Sequence, residues 1–234
     1  MLTVEKVGKV DLPAPDIFFG NSKMEVTDTD IYKSDQVFTR GQMITVTGID
    51  NLNEWWIDPD FFEKQSDGTL KFLPINGDYR VTANGILKYF SVIALKDGKP
   101  AKLQDDGTGA IWAIGKGIGK PSVTSSEVGW ETGKALCLAQ VAPKKYQLTL
   151  KAGETLKTSG DWEAISFKFF YQNDWGGEFS NYASNTLVEQ LKLTGSGNLE
   201  MQDNKAFEEG GVYRFTIDVT NGNANAILKV EKIN

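Results

Sequence analysis

The sequence contains no histidine and a single cysteine among its 234 residues. Without an imidazole, the Ser-His-Asp and Cys-His nucleophile arrangements, histidine-ligated zinc and imidazole acid–base chemistry are excluded together. A lone cysteine cannot close an internal disulfide. Cys137 sits in the apolar run Ala135-Leu136-Cys137-Leu138-Ala139, where a thiol acts as a small core residue. Excess cationic charge is also missing: 25 Lys and Arg stand against 31 Asp and Glu, a formal charge of −6. That balance argues against nucleic acid or an anionic membrane surface as partner, because both reward basic patches. No apolar run approaches the roughly 18 residues of a membrane-crossing helix, so no transmembrane segment is expected. The opening Met1-Leu2-Thr3-Val4-Glu5-Lys6-Val7 lacks a signal-peptide core. Helical periodicity is scarce as well, and the best candidate, residues 58–64, would make one or two turns.

What is present is alternation with a period of two. In Tyr146-Gln147-Leu148-Thr149-Leu150-Lys151 the apolar residues share one strand face and the polar ones the other. The pattern recurs around Ile44 and Val46, over 79–83, over 213–220 and over 228–232. Turn signals such as Asp67-Gly68, Asn76-Gly77, Asp97-Gly98 and Asn221-Gly222 separate these runs. One wet and one dry face per strand point to antiparallel sheets. At one domain per about 150 residues, the length suits one large domain or two small ones. Gly, Pro and charge cluster between Lys96 and Gly109 and predict a linker there. A Gly-x-Tyr-Arg-apolar-Thr echo links residues 77–82 to 211–216. The expectation is an all-β chain of two tandem antiparallel β-sandwich, immunoglobulin-like domains, residues 1–104 and 105–234.

Without histidine, glycoside hydrolysis by two carboxylates is the main hydrolytic chemistry left. Asp161, Glu163, Asp174 and Glu178 lie near aromatics, yet no spacing pairs an acid with a facing carboxylate. Asp105-Asp106-Gly107 and Asp28-Thr29-Asp30 do not complete a calcium loop and read as turns. Gly115-Lys116-Gly117-Ile118-Gly119-Lys120 is followed by Pro121 where a phosphate-binding loop would open a helix. No catalytic residue, metal or cofactor is therefore expected.

The informative stretch runs from Ile165 to Glu178. Alternation puts Ile165, Phe167, Phe169 and Tyr171 on one face and leaves Phe170 among Ser166, Lys168 and Gln172 on the other, just before Asn173-Asp174-Trp175-Gly176-Gly177. A flat ring flanked by amide, ammonium and carboxylate groups suits a sugar, which offers an apolar C–H face and a rim of hydroxyls. The candidate glycan-binding residues are Trp130, Trp175, Lys168, Phe170, Gln172, Asn173 and Glu178. The competing expectation is that Trp175 plugs the core and Phe170 packs beneath a loop. Trp112 reads as inward, Trp55 and Trp56 as pointing opposite ways, and Trp162 as either loop cover or platform.

The order of Ile111-Trp112-Ala113-Ile114-Gly115, Trp130, Phe167-Lys168-Phe169, Trp175 and Gly211-Val212-Tyr213-Arg214-Phe215-Thr216-Ile217-Asp218 resembles the C-terminal modules of SusE/SusF-like proteins. These are outer-membrane glycan-binding lipoproteins of Bacteroidetes polysaccharide-utilisation systems. Gly41-Gln42-Met43-Ile44-Thr45-Val46-Thr47-Gly48, Trp56-Ile57-Asp58-Pro59-Asp60-Phe61-Phe62 and Gly77-Asp78-Tyr79 look like the preceding module, so the similarity spans residues 36–234. The resemblance implies a cell-surface protein of the outer membrane that holds a polysaccharide or oligosaccharide without cleaving it. Trp130 and Trp175 would be platforms and Lys168 a donor to sugar hydroxyls, with other outer-membrane uptake components as possible partners. The chain departs from that family in having neither a signal peptide nor a lipid-acceptor cysteine. The rival expectations are an adhesive β-sandwich that binds another protein and a carboxylate-only glycosidase.

Overall fold

A computed structural model describes residues 15–160 and 164–234, so Asp161, Trp162 and Glu163 lie outside the described residues. The protein is all-β, built from antiparallel sheets in two domains. In the N-terminal half, strands β1 (Ile31–Phe38), β2 (Gly77–Asn84) and β3 (Tyr89–Lys96) lie side by side and antiparallel, with Glu25–Asp28 and Lys99–Pro100 at the edges. Along β2, Tyr79, Val81 and Ala83 are buried and the residues between them are not, as the alternation requires. These side chains share a core with Phe19, Ile44, Phe62, Leu70 and Phe72, which come from two small three-stranded sheets. Phe19 anchors it, with the rings of Phe90, Phe62 and Phe38 at 5.2, 5.5 and 6.1 Å.

The C-terminal half is built from β4 (Trp112–Gly119), β5 (Lys145–Lys151), β6 (Ser166–Phe170), β7 (Val212–Asp218) and β8 (Ile227–Lys232). One sheet centres on β4 and β6. The other runs Ala139–Ala142, β5, β7, β8 and Ser184–Thr186, with the last pairing parallel. Phe167 of the first sheet meets Phe215 of the second edge-on at 5.5 Å, inside a core that also takes Leu148, Tyr213 and Leu228. The Gly-x-Tyr-Arg echo falls on β2 and β7. Each has an antiparallel strand from earlier in the chain on one side (β1, β5) and its own hairpin partner on the other (β3, β8). Tyr79 and Tyr213 are both buried in them.

Three local expectations are corrected or resolved. Residues 58–64 are not helical: the Asp58 carbonyl accepts from the amides of Phe61 and Phe62 in a turn, and Phe62–Lys64 is a strand. The stretch 96–109 is not a free linker. Asp97-Gly98 turns a hairpin, Ala101 and Leu103 are buried, the Ala101 carbonyl accepts the Trp112 indole N–H at 3.0 Å, and the Leu103 amide donates to Tyr171 at 2.8 Å. The glycine-rich run 115–119 is strand, and its glycines admit close backbone approach. A Cβ on Gly115, at φ +140°, would lie 2.4 Å from the Phe167 Cα.

Cys137 is buried as expected, and burial pushes its thiol up to about 12. The folded protein at about pH 8 should leave a thiol-specific disulfide reagent unreacted until denaturant exposes the chain, when one equivalent reacts. Fast reaction under native conditions would contradict that burial.

The halves are joined by a buried polar network. Lys120 Nζ lies 2.7 Å from Asp58 and 3.3 Å from Asp60, and all three side chains are less than a tenth exposed. Asp60 also accepts from Gln147 Nε2 at 2.7 Å and from the Thr149 amide and hydroxyl, both at 2.6 Å. Around it, Trp56 Nε1–H donates to Glu154 at 2.7 Å, the Ile75 amide to Gln140 at 2.9 Å, and Arg40 to the Val141 carbonyl at 2.8 Å.

Candidate functional site

Strand β6 ends at Phe170, and the chain reverses so that the Tyr171 amide donates to Gly177 at 2.6 Å and the Phe179 amide to Phe169 at 3.0 Å. Gly176 and Gly177 take φ of +83° and +69°, a conformation that costs most residues but not glycine. Within this tight turn Asp174 Oδ1 accepts the Trp175 amide at 2.8 Å, and Gln172 Nε2 donates to the Trp175 carbonyl at 2.7 Å. The indole of Trp175 is thereby held out of the sheet and is 52% exposed. Trp130, from the segment after Glu127–Gly129, is half-buried against the domain core and lies nearly parallel to it, centroids 6.3 Å apart and planes 26° off. Two loops far apart in sequence thus bring both expected platforms together.

Phe170 is corrected: it is 1% exposed and offers no surface to a ligand. Its strand face is not wet. Phe170 sits opposite Trp112 in the β4–β6 register, Trp112 is itself buried, and Trp175 stands edge-on to Phe170 at 6.1 Å. Phe170 supports the Trp175 indole from beneath. Gln172 is half-buried, and its amide N–H braces the turn, leaving the amide oxygen. Lys168 and Asn173 are half-buried, and Glu178 is exposed beside the turn, bridged through its backbone to Phe170. The core-plug expectation for Trp175 fails on its exposure. Trp112 is inward as expected, and Trp55 is buried in stacking contact with Phe90 at 4.7 Å while Trp56 remains half-buried.

Residues 106–220 match a family model described as a domain of unknown function (DUF5121), and residues 10–103 match a second domain of unknown function (DUF5125). The chain carries two tandem domains of unknown function. No curated protein matches it. The paired indoles and their polar neighbours all belong to the DUF5121 match.

The sequence reading missed a second concavity, where the DUF5125 half faces the DUF5121 half. A cleft of about 670 Å³ runs between Trp56, Tyr89 and the outer face of β2 and β3 on one side and residues 123–137 on the other. Its floor includes Asp58 and Lys120 of the buried network. No local signal announces it, because its walls are about 30 to 80 positions apart in the chain and meet only through the domain contact.

Proposed function

We propose that this is a non-catalytic glycan-binding protein of the bacterial cell surface, similar in role to SusE/SusF-like outer-membrane lipoproteins and working beside other uptake components. The observation that carries the reading is the Trp130–Trp175 pair: an indole half open to water, backed by a second, nearly parallel one and by buried Phe170. A pyranose C–H face stacks on such a ring, while Lys168, the Gln172 amide oxygen, Asn173 and Glu178 meet its hydroxyls. The non-catalytic part is supported by the commitment of the buried carboxyls: burial pushes Asp58 up, but Lys120 holds it at 2.7 Å, and the neighbouring Asp60 is bound by Lys120, Gln147 and Thr149. The reading also takes both halves as immunoglobulin-like sandwiches. Tyr79 supports this, since its hydroxyl donates to the Ile75 carbonyl at 2.8 Å, four residues upstream, as in the tyrosine corner of such folds. No helix among the described residues is long and apolar enough to cross a membrane.

Affinity electrophoresis and calorimetry against a polysaccharide panel test the proposal. Trp175→Ala should weaken binding by about 1–3 kcal/mol and leave the melting temperature nearly unchanged, because an exposed ring contributes little to stability. Inertness of the intact protein towards every glycan would sink the reading, and release of reducing ends would turn it into a glycosidase.

A further inference from the structure

The interdomain cleft has a chemical character of its own. Every charged side chain that lines it is already paired. Lys120 holds Asp58, Lys134 holds Glu131 at 3.0 Å, and Glu127 accepts from the Gly117 amide and pairs with Lys157 at 3.0 Å. A charged ligand would have to break one of these pairs or enter without a counter-ion. The rest of the lining mixes two rings, Trp56 and Tyr89, and the hydroxyls of Thr82, Ser91, Thr124 and Ser126 with apolar side chains such as Ile93, Val123 and Leu136. An aliphatic ligand would cover the apolar side chains but strip water from those hydroxyls and return no hydrogen bond. A neutral molecule with flat C–H faces and many hydroxyls satisfies both the rings and the hydroxyl rim.

We propose that this cleft is a second binding site, for a short neutral oligosaccharide, distinct from the Trp130–Trp175 pair and independent of whether that pair binds sugar. At about 670 Å³ it lies within the usual range of small-molecule sites, and the ion and hydrogen-bond network beneath it fixes the two walls before a ligand arrives. Preformed walls spare the ligand the cost of ordering them. Gly129 and Glu131 line the cleft while Trp130, between them, packs on the other side in contact with Trp175, so one short segment separates the two sites.

The test uses the full chain, with calorimetric titration of neutral gluco-, manno-, galacto- and xylo-oligosaccharides and of oligogalacturonate as a charged probe. Thr124 is exposed on the cleft wall, so Thr124→Trp plugs the space with little risk to folding, and Tyr89→Ala removes a ring. The expected result is that a neutral oligosaccharide still binds Trp175→Ala, that Thr124→Trp and Tyr89→Ala each weaken this binding tenfold or more, and that oligogalacturonate binds worse. Unaltered melting of Thr124→Trp shows that the plugged protein is folded. Loss of all binding in Trp175→Ala with full binding in Thr124→Trp overturns the cleft proposal and leaves the indole reading standing. Preference for oligogalacturonate, or no neutral oligosaccharide bound by Trp175→Ala, overturns it as well. Failure of the indole reading looks different, since every affinity would then survive Trp175→Ala.

Discussion

Lys120→Met is expected to lower the unfolding free energy by about 3–5 kcal/mol, the usual cost of leaving buried charge without its partner. The substitution keeps the length and apolar stem of the side chain, so the loss isolates the ammonium. Asp58 and Asp60 would then face each other with both side chains less than a tenth exposed. Asp60 would keep its bonds from Gln147 and Thr149, and Asp58 would keep only the Asp60 amide. Replacing all three groups together, Lys120→Met with Asp58→Asn and Asp60→Asn, should recover much of the loss, because the charge to be neutralised is gone. Denaturant titration of the parent, the single variant and the triple variant checks this. A single variant as stable as the parent would mean that the network is not closed to solvent.

The same cluster fixes the sign of a pH effect. At Asp60 burial pushes the carboxyl up, but the Lys120 charge and the bonds from Gln147 and Thr149 outweigh it and hold the group below its ordinary 3.8. Its contribution is full above that value and is lost as pH falls through the depressed one. At Asp58 burial and the neighbouring Asp60 charge outweigh Lys120 and raise the carboxyl, so its contribution is full below 3.8 and is lost as pH rises through the raised value. Stability should therefore climb as pH drops through the raised Asp58 value and fall as pH drops below 3.8 through the depressed Asp60 value. Asp58→Asn should remove the climb and keep the fall, a difference readable in melting temperature against pH.

The alternation of Tyr146, Leu148 and Leu150 made β5 legible, because one face of that strand meets the core and the other does not. The echo between 77–82 and 211–216 marked two strands with equivalent neighbours for the same reason: local pattern and global position agree there. Residues 165–170 broke the rule. Period-two reading assumes a wet outer face, but the segment after Lys99–Pro100, which looked like linker, crosses to the C-terminal domain and bonds to Trp112 and Tyr171. Burial on both faces makes alternation uninformative. The pairing of Trp130 with Trp175 was legible only as two separate loop residues, since their 6.3 Å approach depends on a turn geometry set by Gly176 and Gly177. The Asp58–Asp60–Lys120 contact spans two domains, and Asp58-Pro59-Asp60 by itself reads as an ordinary turn.

Phe170→Ala should cost about 3–5 kcal/mol of stability, the range for removing a buried phenylalanine when the surroundings cannot collapse to fill the space. Collapse is restricted here because Phe170 faces Trp112 across the β4–β6 pair and the Trp112 indole is tethered to the Ala101 carbonyl. The Trp175 ring stands edge-on to it from above, so the same deletion loosens the floor of the proposed shelf. Two readouts therefore separate support from contact. Trp175→Ala should spare the melting temperature and weaken binding at the indole shelf by about 1–3 kcal/mol. Phe170→Ala should lower the melting temperature sharply yet, measured well below unfolding, weaken the ligand less than Trp175→Ala does, because the stacking face itself remains. Phe170→Leu, which refills most of the volume without the ring, should restore much of the stability. If Phe170→Ala instead left stability intact and abolished binding, the side chain would be touching sugar, and its 1% exposure would no longer describe the ligand-bound protein.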